Sequence, residues 1–140
     1  MARYTYSCPL RWADMDVYGV INNVAFVRYL EEARVDLLLC MAPSEQDSFL
    51  GRGSVVVRHE IDYKNPLVHR REPVEIETWV SRLRASSVTI SYLVKDGDHR
   101  YASARSVLAP FDYKARRPRR LTQPETAFFE KYLEPDQAPR

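Results

Sequence analysis

Apolar residues recur along this chain with two different periods, and the change of period divides it. Behind Asn22-Asn23, the residues Phe26, Leu30, Ala33, Leu37 and Cys40 fall four and three apart. That is a single stripe along a helix, and Arg28, Glu32 and Asp36 lie on another face. Asn22 and Asn23 each offer a cap, since a short amide side chain can accept from the amides exposed in a helix's first turn. Pro43 stops the pattern, having no amide hydrogen and disfavouring helical geometry before it. The spacing predicts one long helix between these limits.

Further on, the period drops to two. Val55, Val57, His59, Ile61 and Tyr63 alternate with Val56, Arg58, Glu60 and Asp62, as a half-buried strand requires. Val74, Ile76, Thr78 and Val80 repeat the pattern opposite Glu75 and Glu77, and Val88, Ile90, Tyr92 and Val94 make a third run. Asp96-Gly97 supplies a tight turn, and Tyr101 to Phe111 returns as a fourth strand. Ahead of the helix, Arg3 to Arg11 reads as a strand and Trp12 to Ile21 as a loop. Near the end, Thr122 and Glu125 have capping-box spacing, with Phe128, Phe129, Tyr132 and Leu133 behind them at helical spacing. The pattern predicts an α+β fold: an antiparallel sheet wrapped around one long helix, which can cover only one face of it.

Composition adds bounds. The 140 residues suit one domain, and no repeat or linker divides them, so residues 1–134 are expected to form a single domain and 135–140 a frayed tail. The net charge of +2 is too small to imply a polyanion partner. Cys8 and Cys40 lack metal or redox spacing, which favours a reducing compartment over a disulfide framework. With no apolar run of membrane length and no leader-like stretch after Met1, the cytoplasm is the expected location, without a membrane partner.

The chemistry concentrates in Arg11 to Arg34, where a carboxylate loop, a glycine and a helix start follow one another. A helix N-terminus presents unsatisfied amides and partial positive charge, suited to a carbonyl that gains negative charge in a transition state. A carboxylate beside it can activate water or attack the carbonyl itself. On the residues alone, an Asp in a loop before a helix is usually only a cap or a solvated turn residue, and the spacing by itself favours that reading of Asp16.

The stretch Asp16-Val17-Tyr18-Gly19-Val20-Ile21-Asn22-Asn23, followed by Glu31-Glu32-Ala33-Arg34, closely resembles the signature of the hydroxybenzoyl-CoA and long-chain acyl-CoA thioesterase families, which have the hotdog fold. The resemblance continues through Val55 to Pro66, Val74 to Ser87 and the Arg-Pro-Arg-Arg run. It implies hydrolysis of acyl-CoA or acyl-carrier-protein thioesters in a homodimer or tetramer with its site at the subunit interface; the residue pattern itself calls for no metal or cofactor. Asp16 would be the catalytic carboxylate, as general base or nucleophile, and Asn23 would supply the amide that polarises the carbonyl. Gly19, Val20 and Asn22 would shape the substrate site, Gly19 by allowing a close backbone approach. Many relatives carry His where this chain has Val20.

Other residues have plainer readings. Asp14 is expected in a turn role, Glu31 and Arg34 as a charge pair along the helix, and His59 as a satisfied histidine on its strand's apolar face. His59, His69 and His99 show no ligand spacing, and no serine sits in a nucleophile elbow. His69-Arg70-Arg71 and Arg116 to Arg120 are basic enough to meet CoA phosphates. Two other functions remain open: a catalytically silent acyl-binding or structural protein of this fold, and, more remotely, a nucleic-acid module using Arg116 to Arg120.

Overall fold

A computed structural model describes residues 3–41 and 48–136. Its elements run β1 (Tyr4–Cys8), a 3-10 turn (Trp12–Asp14), α1 (Asn23–Leu38), α2 (Phe49–Arg52), β2 (Ser54–Tyr63), β3 (Val74–Arg84), β4 (Ser87–Asp96), β5 (His99–Asp112), β6 (Arg117–Pro118) and α3 (Gln123–Glu130). The strands form one six-stranded antiparallel sheet in the order β1-β3-β4-β5-β2, with β6 paired to β5. The sheet curls around α1, giving the hotdog arrangement that the resemblance implies.

The apolar stripe of α1 does what its spacing requires. Phe26, Leu30, Ala33 and Leu37 are buried against the sheet, joined by Ala25, Tyr29 and Leu38. Burying a leucine such as Leu30 or Leu37 stabilises the fold by roughly 1.5–3 kcal/mol. Cys40 does not continue the stripe. The helix ends at Leu38, because the amides of Cys40 and Met41 turn back to the carbonyls of Leu37 and Leu38 in tighter, 3-10-like bonds. Cys40 is left exposed, and Met41 buries in its stead. Pro43 lies outside the described residues.

Alternation holds in β3, where Val74, Ile76, Thr78 and Val80 are all fully buried. It fails in β2, whose register with β5 slips between Val56 and Arg58. Leu108 and Ser106 face inward opposite Val56 and His59, so Val57 is the extra residue of a bulge. Val55 and Val57 therefore do not share the inner face with His59, Ile61 and Tyr63, contrary to the sequence pattern. β2 also closes one edge of the sheet, with Val56 and Val57 exposed. In the central strand β4 both faces are covered, since Thr89, Ser91 and Leu93 are buried along with Val88, Ile90, Tyr92 and Val94.

At the C-terminal end, Thr122 and Glu125 close the expected capping box on α3. Its residue Phe129 meets Phe49 of α2 edge to face at 5.1 Å. Glu134 is held in place: it pairs with Arg3, and its amide donates to the Val80 carbonyl. Asp136 reaches Arg105 at 3.3 Å. Residues 137–140, which carry the rest of the expected tail, lie outside the described residues. Among the described residues, no helix is long and apolar enough to cross a membrane.

Candidate active site

The loop from Asp16 to Val20 is closed at its base. Met15 bridges Ile21, the Asp16 amide donates to the Val20 carbonyl at 3.0 Å, and the Gly19 amide donates to the Asp16 carbonyl at 3.0 Å. Gly19 has φ +75°, a left-handed conformation that a side chain would strain. No protein atom among the described residues lies within 4 Å of where its Cβ would stand, so backbone conformation, and not a close approach within the chain, accounts for glycine here. The Ile21 amide then binds the Leu67 carbonyl at 2.7 Å, fastening the loop to the segment after β2.

Both oxygens of the Asp16 carboxylate are oriented. One accepts the Tyr18 amide at 2.9 Å, and the other accepts the side-chain amide of Asn22 at 3.2 Å. Asn22 is the N-cap of α1, its side-chain oxygen accepting the Val24 amide at 2.8 Å. The amides of Ala25 and Phe26 turn to the Asn22 carbonyl. Of the first-turn amides, only that of Asn23 has no acceptor among the described residues. A free donor at the positive end of a helix thus stands close in sequence to an oriented carboxylate.

Asp16, Val20 and Asn23 line one cleft of about 360 Å³, together with Phe26, Tyr63 and Leu67. The last three were not singled out by the sequence, since Tyr63 and Leu67 come from β2 and the segment behind it. The Tyr63 hydroxyl donates to the Asn23 carbonyl at 3.0 Å, and its ring meets Phe26 edge to face at 5.4 Å. The end of β2 is thereby tied to the first turn of α1. Val20 is an apolar wall residue of this cleft.

Asp14 has a separate task. Its carboxylate accepts the Tyr29 hydroxyl at 2.7 Å, and its carbonyl accepts the Asn22 amide. Burial, followed by this bond to Asp14, raises the pKa of Tyr29, so the hydroxyl stays a donor. Glu31 and Arg34 do form the expected pair, at 3.7 Å, but Arg34 is itself buried and also donates to the Tyr92 hydroxyl. Tyr92 continues to Ser106, whose hydroxyl lies 2.7 Å from His59 Nδ1. Burial, then the charge of Arg34, lowers the pKa of His59, a histidine satisfied within this chain of polar groups.

The basic runs are partly consumed by structure. Arg70 clamps the Glu72 and Pro73 carbonyls and pairs with Asp96. Arg119 binds Glu125 and the Gly53 carbonyl. Both guanidiniums are already engaged within the fold.

Known proteins share this fold. No curated protein sequence matches the chain. Among solved structures it is similar to a predicted thioesterase of Bacillus stearothermophilus, at 24% identity and TM-score 0.85 over 97% of this chain and 100% of that one. It is similar to a thioesterase of Thermus thermophilus complexed with coenzyme A and zinc, at 25% identity and TM-score 0.78 over 91% and 92% of the two chains. A candidate acyl-CoA thioesterase of Xanthomonas campestris is 33% identical, with TM-score 0.67 over 79% of this chain and 93% of the other. The family model of the thioesterase-like superfamily matches residues 10–130. With most of its length matched and the fold in agreement, the chain belongs to the thioesterase-like superfamily.

Proposed function

We propose that the protein hydrolyses acyl thioesters carried on coenzyme A or acyl carrier protein. The observation that carries this reading is the pairing of an unclaimed Asn23 amide with the oriented Asp16 carboxylate on one largely apolar cleft. The thioester carbonyl oxygen accepts from Asn23, and charge building on it is stabilised by the helix N-terminus. Asp16 then serves in one of two ways. As general base it takes a proton from water while the water oxygen bonds to the carbonyl carbon. As nucleophile it forms an acyl anhydride that water opens. In both routes the carbon–sulfur bond breaks, and the thiolate leaves and is protonated. Val20 serves the acyl group as an aliphatic wall, in a position where relatives often use His.

A panel of aromatic, short-chain and long-chain acyl-CoA thioesters tests the reading through release of free thiol. At least one should turn over well above the spontaneous rate. A protein that binds acyl-CoA without releasing thiol from any of them would be an acyl-binding protein.

The same reading includes a homodimer at least, with Asp16 close to the partner subunit. Three features support it: the long free edge of β2, its exposed Val56 and Val57, and the exposed Trp12, Val17 and Tyr18 around the catalytic loop. Sedimentation at micromolar concentration should give a species of twice the chain mass or more, and a fully active monomer would refute the assembly.

A further inference from the structure

Asp16 lines two clefts. The first, with Phe26, Tyr63 and Leu67, has a buried apolar floor: Phe26 is 3% exposed and Leu67 1%. The second, of about 290 Å³, shares Asp16 with the first and is otherwise lined by residues that include Asp14, Asn22, Val24 and Arg28. A thioester also has two unlike arms on either side of its reacting carbon. An acyl group gains by leaving water for the apolar floor. The amide-bearing pantetheine arm would lose hydrogen bonds there, whereas the second cleft offers polar partners.

Arg28 is the cation of that second cleft, just over one helical turn from Asn23. It is exposed and, among the described residues, makes no hydrogen bond or ion pair. Glu31 and Glu32 lie one turn further on at pairing distance in sequence, yet Glu31 is held by Arg34. Asp14, the other carboxylate in the cleft, is engaged by Tyr29. The guanidinium is therefore uncommitted and available for the paired oxygens of a phosphate.

Resting on the hydrolase reading above, we propose that the acyl arm occupies the Phe26–Tyr63–Leu67 cleft and the thiol arm the other, where Arg28 anchors the phosphate of the carrier. A phosphate on pantetheine is common to coenzyme A and acyl carrier protein, so the site reads the carrier and not the acyl group.

The test compares one acyl group on coenzyme A with the same group on N-acetylcysteamine, which has no phosphate. Arg28→Ala should raise KM about tenfold for the acyl-CoA, as expected for loss of a charge-assisted contact, and leave KM for the short thioester and both kcat values near wild type. Arg28→Lys should recover part of the loss, and salt should weaken acyl-CoA binding in the wild type more than in Arg28→Ala. An acyl-carrier-protein thioester of the same acid identifies the carrier, which is the one with the lower KM and the larger Arg28 dependence. Unchanged KM in Arg28→Ala overturns the proposal. So does an equivalent loss in Lys64→Ala instead, because Lys64 lines the first cleft and the arms would then run the other way. Titration with free coenzyme A separates this proposal from the hydrolase reading. Binding that weakens in Arg28→Ala without any turnover keeps the anchor and removes the hydrolase, while turnover indifferent to Arg28 does the reverse.

Discussion

Asp16→Asn is expected to lower turnover by at least ~10²-fold, the lower range for a positioned acid–base group, while the protein stays folded. The substitution keeps the size of the side chain and an oxygen for the Tyr18 amide. It removes charge and basicity, and it sets an amide against the Asn22 amide in place of an acceptor, a loss of about 1 kcal/mol. Binding of the thioester should change little, because the cleft and the Asn23 amide persist. Asp14→Asn is the informative companion. Its side-chain oxygen still accepts from Tyr29, so turnover should remain within a few-fold of wild type. Steady-state kinetics of both variants, with denaturant midpoints to confirm folding, decide the assignment. Near-normal activity in Asp16→Asn together with an inactive Asp14→Asn would move the chemistry to the earlier carboxylate.

The largest effect on stability should come from Glu125→Ala, at roughly 3 kcal/mol, with a fall in Tm on the order of 10 °C. Glu125 is fully buried, and its carboxylate accepts two bonds from Arg119 and one from the Thr122 amide. Removing it opens the capping box and strands the Arg119 guanidinium, whose Nε is already buried without a partner among the described residues. Burial pushes the Glu125 carboxyl up, but the bonds and charge of Arg119 outweigh it and hold the pKa below the ordinary glutamate range. The folded pKa is thus below the unfolded value of 4.5. This contribution is complete above that pH and is lost as pH falls through the folded value. Thermal melts between neutral pH and pH 3 should show the wild type losing its advantage over Glu125→Ala with acid. A constant gap would exclude the linkage.

What the chain reveals in advance depends on whether the signal is local. The α1 stripe and the β3 alternation are legible because burial on one face imposes a period on neighbouring residues. The bulge in β2 is not, since Val55-Val56-Val57 reads equally well in either register and only pairing with β5 reveals the extra residue. The helix α2 is shorter than any periodic pattern, and β6 depends on a turn in which Arg116 adopts φ +57°. The site divides in the same way. Asp16, Asn22 and Asn23 lie within one short stretch, so their proximity is legible there. Tyr63 and Leu67 meet it only after the sheet has formed, and Arg28, ordinary on its helix face, gains interest from the cleft beside it.

Asn22 holds the Asp16 carboxylate with one end of its amide and caps α1 with the other. Helix initiation and the ordering of the proposed active site are consequently coupled. Whenever the first turn frays, Asp16 loses one of its two orienting bonds and Asn23 its place at the end of an aligned helix, without any unfolding of the core. Loss of function on warming can therefore begin as a local opening well below the global melting temperature. Hydrogen exchange at the Val24 amide, which Asn22 protects, then counts the fraction of molecules in which the Asn22 cap beside the Asp16 loop is open at any moment.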